Sequence, residues 1–172
     1  MQICPYRPED AVAIREVHLE AFGGREDESR LVDLLHAAGA APISLVAVEE
    51  PGGRLLGHIL FSPVELVGSS AALHLLGLAP IGVLPEEHGR GVGSRLVRAG
   101  LADCLATGYD AVVVLGEPNY YSQFGFRRAS DRGLGNEYGA DEHFMVAELR
   151  KGALRGASGT LRYRLEFREA GA

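Results

Sequence analysis

The sequence predicts an α/β fold built on a mixed sheet, and three observations carry that prediction. Two segments between Pro8 and Gly39 repeat their apolar positions at helical spacing. The period then changes at Ile43 to runs of strand length separated by glycine-rich turns. A strand–helix–strand unit follows between Ala72 and Leu115, whose two strands must be parallel. At 172 residues the chain is long enough for one domain with a real core, here 1–172 with a core to about 150 and 151–172 as a C-terminal extension.

Taken in order, a first short strand runs from Gln2 to Tyr6. Pro8-Glu9-Asp10 opens a helix with proline and acids in its first turn, where the helix dipole favours them, and Ile14, Val17, Ala21 and Phe22 form its apolar face. After Gly23-Gly24, Leu31, Leu34, Leu35 and Ala38 mark a second helix that Gly39 closes. Strands follow over Ile43–Val48, Leu55–Leu66 and Ala72–Leu84, joined by turns short enough for an antiparallel meander. A helix over Arg90–Thr107 presents Gly93, Leu96, Val97, Gly100, Leu101, Cys104 and Leu105 to the core. Ala111–Leu115 is wholly apolar, as a buried parallel strand is. His143–Leu149 reads as a strand, and Leu161–Phe167 as strand or extended chain.

Composition narrows the function. With 47% hydrophobic and 23% charged residues the chain is of ordinary globular type, and no apolar run reaches the roughly 20 residues of a spanning helix. The N-terminus lacks the charged-then-apolar layout of a secretory signal. Cys4 and Cys104 alone make neither a disulfide framework nor a zinc spacing, so two reduced thiols in a cytoplasmic protein are expected. A net charge of −6 without a Lys/Arg stripe argues against nucleic acid and weakly favours a cationic substrate. His58, His74 and His88 share no compact ligand spacing, and no metal is expected.

The strongest motif is His88-Gly89-Arg90-Gly91-Val92-Gly93, between a strand and a helix. A helix start offers free backbone N–H groups and a positive dipole end, and glycines let an anion approach closely. The competing reading is a glycine-rich turn that only packs the helix against the sheet. The dinucleotide pattern G-x-G-x-x-G fails, because Ser94 or Leu96 stands where its last glycine belongs. No Gly-Lys-Ser/Thr and no G-x-S-x-G exists, so NTPases, nicotinamide oxidoreductases and serine hydrolases are poor fits. Pro80 and Gly82 lie inside the apolar strand Leu78–Leu84, where a bulge would leave backbone groups unpaired.

These residues resemble the GNAT superfamily of N-acetyltransferases, whose signature Q/R-x-x-G-x-G/A stands here at His88–Gly93 with His88 in the Gln/Arg position. Tyr121-Ser122-Gln123-Phe124-Gly125-Phe126 matches the family's second motif. Ala21-Phe22, Glu28, Leu31-Val32 and Gly57–Pro63 are similar to the small bacterial YhbS-type subgroup. The resemblance implies a GNAT-type acyl-CoA N-acyltransferase fold, with central parallel strands splayed around the donor. It implies acetyl-CoA as co-substrate and direct attack of an amine on the thioester. The backbones of Ile81, Gly82 and Val83 would hold the pantetheine arm and thioester, with the Val83 N–H at the oxyanion. Gly89, Arg90, Gly91, Val92, Gly93 and Ser94 would hold the pyrophosphate. Tyr121, rather than its rival Tyr120, would protonate the departing thiolate. The base stays open among Glu65, His74, Glu86, Glu87, Glu28 and a water relay, with Glu65 named first. A non-catalytic acyl-CoA-binding module is the alternative, and the oligomeric state is monomer or homodimer.

Overall fold

The computed structural model describes all residues, Met1–Ala172. In chain order the elements are β1 (Gln2–Pro5), α1 (Ala11–Ala21), α2 (Asp27–Ala37), β2 (Ile43–Val48), β3 (Leu55–Val67), β4 (Leu75–Val83), α3 (Val92–Ala106) and β5 (Ala111–Leu115). After these come α4 (Pro118–Tyr121), β6 (Arg127–Arg128), β7 (Leu134–Asn136), β8 (Phe144–Glu148), β9 (Gly159–Arg162) and α5 (Leu165–Ala170). The chain forms two compact units: Met1–Ser62, Ala79–Gly100 and Leu165–Ala172 make the first, and Pro63–Leu78 with Leu101–Arg164 the second. The boundary falls inside β3, β4 and α3, which run from one unit into the other.

In the first unit β1, β2 and the opening half of β3 pair antiparallel, from Gln2↔Val48 to Pro5↔Leu45 and from Ile43↔Phe61 to Val48↔Leu55. Proline and acids do start the first helical segment, as a 3-10 turn over Pro8–Asp10, before α1 buries Ile14, Val17 and His18. The presence of His18 on that face was not anticipated. In α2 the buried stripe is Leu31, Val32 and Leu35, with Leu34 half-buried and Ala38 exposed, so the face is rotated from the one expected. α5 packs on α2, so the last residues belong to this unit's helical layer. The start of α3 lies close on its strands. A Cβ on Gly57 would stand 3.0 Å from Leu96 Cδ1, and one on Gly100 would collide with the Phe61 ring.

The second unit pairs β4 with β5 in parallel, Leu75↔Ala111 through Gly77↔Val113, as the crossover through α3 requires. β5 pairs antiparallel with β8 from Ala111↔Glu148 to Leu115↔Phe144. β9 pairs with the end of β3 and, in parallel, with β7. Residues 151–172 therefore supply β9 and α5. The segment expected to be strand or extended over Leu161–Phe167 ends its strand at Arg162 and turns helical at Leu165. The strand expected from Ala72 begins only at Leu75, and Leu105, expected in the core, is 47% exposed on the solvent side of α3.

Asp110 ties the strand starts of this unit. Its Oδ2 accepts the His74 backbone N–H at 2.8 Å, its own N–H returns to the His74 carbonyl at 2.8 Å, and its carbonyl accepts from Leu149 at 3.0 Å. Arg150 pairs with its Oδ1. The His74 bond first, and Arg150 after it, hold the carboxyl below its ordinary range. A carboxylate depressed on folding contributes fully above pH ~4 and loses that contribution as pH falls through its folded value. Asp110→Asn should therefore lower stability by about 1–2 kcal/mol at pH 7 in denaturant titrations, a difference that shrinks on acidification below pH ~4.

Candidate functional site

In the first unit, β4 runs unbroken to Val83 through Pro80 and Gly82, and the Ala79–Pro80 peptide is cis. Its pairing with β5 stops at Gly77. The chain then makes a 3-10 turn over Pro85–Glu87, a turn over His88–Gly91, and enters α3 at Val92. Gly89 and Gly91 stand at φ +76° and +80°, conformations that only glycine adopts without strain. The first helical bond of α3 runs from the Arg95 N–H to the Gly91 carbonyl at 3.0 Å. The N–H groups of Val92, Gly93 and Ser94 belong to the opening turn, which an α-helix leaves without intrahelical partners. α3 is 15 residues long, so these donors stand at the positive end of a full helix dipole.

Arg90 differs from the expectation in one respect: its backbone N–H turns back to the Glu87 carbonyl at 3.3 Å. Its side chain faces Glu87 at 3.5 Å and is 68% exposed, and Arg95 reaches the Met1 carbonyl at 3.1 Å. His88 folds toward the strand, its Nε2–H donating to the Val83 carbonyl at 3.0 Å. Where the family pattern has Gln or Arg, this histidine ties the glycine turn to the end of β4.

In the second unit, α4 is one turn begun by Pro118. It places Tyr121 in a buried aromatic group: ring centroids stand 5.0 Å from Tyr120, 6.4 Å from Phe124 and 5.6 Å from Phe126. The ring lies on Gly116, where a Cβ would collide with it. Gly125, at φ +94°, turns the chain back into β6. Burial first, and Tyr120 second, push the Tyr121 phenol up to about 12. Tyr120 is only half-buried, so the two rings divide as neighbours on a helix do.

The candidate bases are scattered. Glu65 is exposed, opposite Arg162 in the β3–β9 register. His74 stands before β4 with its backbone on Asp110. Glu86 pairs with Arg54, and the carboxyl is lowered first by a bond to its own backbone and then by Arg54. Glu28 pairs with Arg25 at 3.1 Å through Oε1, while its buried Oε2 has no partner. The feature that motif reading missed is His18–His58, buried and joined at 2.9 Å. Its signal was present: His18 falls four residues after Ile14 and four before Phe22, on the apolar face.

Comparison with known proteins agrees with this geometry. A GNAT acetyltransferase domain matches residues 2–129. The N-acetyltransferase YhbS of Escherichia coli K12 is 35% identical over 161 residues, 93% of this chain and 94% of that protein. The crystal structure of Escherichia coli YhbS in complex with CoA superposes with a TM-score of 0.90 at 34% identity, covering 97% of this chain and 91% of the other. A GNAT acetyltransferase from Brucella melitensis in complex with acetyl-CoA gives 0.79 at 35% identity, covering 96% and 97%. A glycine turn at a helix start, a β4–β5 parallel pair and a tyrosine motif in this order thus have a common explanation: the chain belongs to the GNAT acetyltransferase family.

Proposed function

We propose that this GNAT protein transfers the acetyl group of acetyl-CoA to a primary amine by direct attack, in the cytoplasm. The observation that carries the reading is the glycine turn. Gly89 and Gly91 at positive φ deliver the chain into α3 so that N–H groups of Gly91, Val92, Gly93 and Ser94 stand at the helix's positive end. These donors suit a pyrophosphate, and the relatives in complex with CoA and acetyl-CoA support that choice over other anions.

The remaining roles follow from the chemistry. The backbone of β4 at Ile81, Gly82 and Val83 receives the pantetheine arm and thioester. The Val83 N–H steadies the oxyanion formed as the amine attacks. The attacking amine gives up its proton to Glu65 or a water relay, collapse of the intermediate breaks the C–S bond, and Tyr121 gives its proton to the CoA thiolate and recovers one from solvent. A phenol pushed up to about 12 by burial keeps its proton at neutral pH, so Tyr121 serves as an acid rather than a base. Cysteine chemistry is not needed: burial pushes the Cys104 thiol up to about 12, which leaves it protonated and unreactive.

Three measurements test the reading. In Gly91→Ala an L-residue at that φ carries about 1–2 kcal/mol of strain, which the unliganded turn relieves by opening. Isothermal titration should then show the Kd for CoA raised about tenfold. A screen of primary amines with acetyl-CoA, followed by release of free thiol, should find turnover. Tyr121→Phe should cut kcat a hundredfold or more, in line with the ~10²-fold minimum of general-acid catalysis, while CoA binding is kept. Binding of acetyl-CoA with no turnover on any amine, and no effect of Tyr121→Phe, would instead identify a non-catalytic binding module. Tyr163 is also raised, by burial first. Absorbance at 295 nm should therefore show fewer than the six phenolates of the unfolded chain at pH ~11, one unit above an ordinary tyrosine, with Tyr121→Phe reducing the deficit.

A further inference from the structure

A line of polar side chains crosses the interior of the first unit and has no part in the roles given above. His18 Nε2 lies 2.9 Å from His58 Nδ1, His58 Nε2 lies 2.8 Å from Ser44 Oγ, and Ser44 Oγ lies 3.1 Å from His36 Nε2. His18 and His58 are fully buried. His36 is half-buried and stacks on Tyr6, ring centroids 4.0 Å apart at 15°. The His18 ring is further flanked by Phe22, stacked at 6.0 Å. The histidines do not gather as metal ligands, since no group of three or more His, Cys, Asp or Glu side chains is arranged to hold an ion.

Each link of the line holds one proton, so two neutral arrangements satisfy it, one with every donor pointing outward to His36 and one with every donor pointing inward. The free end decides between them. His18 Nδ1 is buried without a partner, and a bare buried N–H is rarer than a bare acceptor. The outward arrangement leaves only a lone pair there. His18 Nε2–H then donates to His58 Nδ1, His58 Nε2–H to Ser44 Oγ, and the Ser44 hydroxyl to His36 Nε2. Burial keeps the two inner rings neutral, lowering His18 to about 4 and His58 well below its ordinary value.

The inner end of the line meets the strand assigned to the thioester. A Cβ added to Gly82 would stand 2.7 Å from His18 Nδ1 and 3.0 Å from its Cε1, closer than packed side-chain atoms come. Gly82 thus rests directly on the imidazole, one residue before Val83. We infer that His18 is a positioning residue for the acyl donor: its ring, held by the His58–Ser44–His36 line, is the bed that sets the path of β4 at Gly82 and hence the direction of the Val83 N–H. The inference rests on the assignment of Val83 to the thioester carbonyl.

Acetyl-CoA and free CoA share every group except that thioester, so the ratio of their dissociation constants isolates the thioester contact at Val83 from the pyrophosphate and pantetheine contacts that both make. In His18→Ala the Kd for acetyl-CoA should rise about three- to tenfold more than the Kd for CoA, the worth of one hydrogen bond. Gly82→Ala should raise the same ratio by forcing a methyl onto the ring. The double variant, with the ring gone, should be less impaired than the two single effects combined predict. Ser44→Ala, which cuts the line but fills the same space, gives the same direction at smaller size and serves if His18→Ala does not fold. Ring ¹⁵N spectra of the unaltered protein should show both His18 and His58 as neutral Nε2–H tautomers. A folded variant whose ratio moves less than about twofold, strictly additive effects of the two substitutions, or an Nδ1–H tautomer at His18 would each overturn the inference. Failure of the unaltered protein to bind either form of CoA would overturn the functional reading instead.

Discussion

The closeness of α3 to the strands beneath it governs the first unit. Gly100 lies on the Phe61 ring with no room for a Cβ, and a Cβ at Gly57 would press at 3.0 Å on Leu96 Cδ1 and on the Gly82 carbonyl. With the helix seated through Leu96 and Val97, both fully buried, its axis is fixed along its first two turns. Its N-terminus is fixed with it, and so are the donors that the opening turn leaves free. A helix held off by a methyl or larger group at either glycine would carry those donors outward, away from the end of β4. The two positive-φ glycines then solve a local problem that this packing creates: how to leave Val83 and enter a helix already in place. His88 closes the arrangement by bonding the turn back to the Val83 carbonyl.

How legible this was in the sequence depended on whether a feature is made by backbone or by side chains. Glycines inside a strand–helix junction are written openly, because little else explains them at a helix start. The apolar runs Ile43–Val48, Leu55–Leu66 and Ala111–Leu115 were equally open, since these strands are buried along most of their length. Boundaries set by tertiary contacts were not. Leu105 follows the spacing of the core face yet stands in solvent, because the buried stripe of α3 runs through Cys104 and leaves Leu101 half-buried and Leu105 outside its edge. The turn into α5 at Leu165 is a packing event against α2, and its six residues are too few to show a period. Tyr121 could be singled out from its motif, but the aromatic group around it is assembled from α4, the following turn and Phe126 just before β6.

The histidine line was the least legible feature, and the reason is physical. Its members come from α1, α2, β2 and β3, and each alone reads as a polar residue on an otherwise apolar face. Only pairing makes their burial tolerable, since an unpaired imidazole in an apolar interior loses its solvation without return. Their neutral state follows from that burial: the environment that hides them also removes the charge by which a sequence reading would look for them. Buried neutral histidines are therefore hidden from arguments from charge, and spacing marks His18 only singly, so the line itself becomes visible through geometry.

A division of labour follows from these contrasts. The proposed donor contacts are nearly all backbone groups, on the glycine turn and on β4, and backbone contacts tolerate wide change in the side chains around them. This accounts for how His88 can stand where the family pattern has Gln or Arg: the position braces the turn through Val83, while the N–H groups proposed to hold the anion are unchanged in kind. Acceptor choice cannot rest on backbone in the same way, because amines differ in what surrounds the nitrogen rather than in the nitrogen itself. It must be made by side chains on irregular segments, where substitution leaves the fold intact. For the proposed amine acceptor, the chain's net charge of −6 supplies an attraction for a cation. Because long-range attraction acts before contact, that charge would gather many amines alike. Discrimination among them then falls to shape and hydrogen bonding at short range, which is why the fold fixes the donor while leaving the acceptor free to vary.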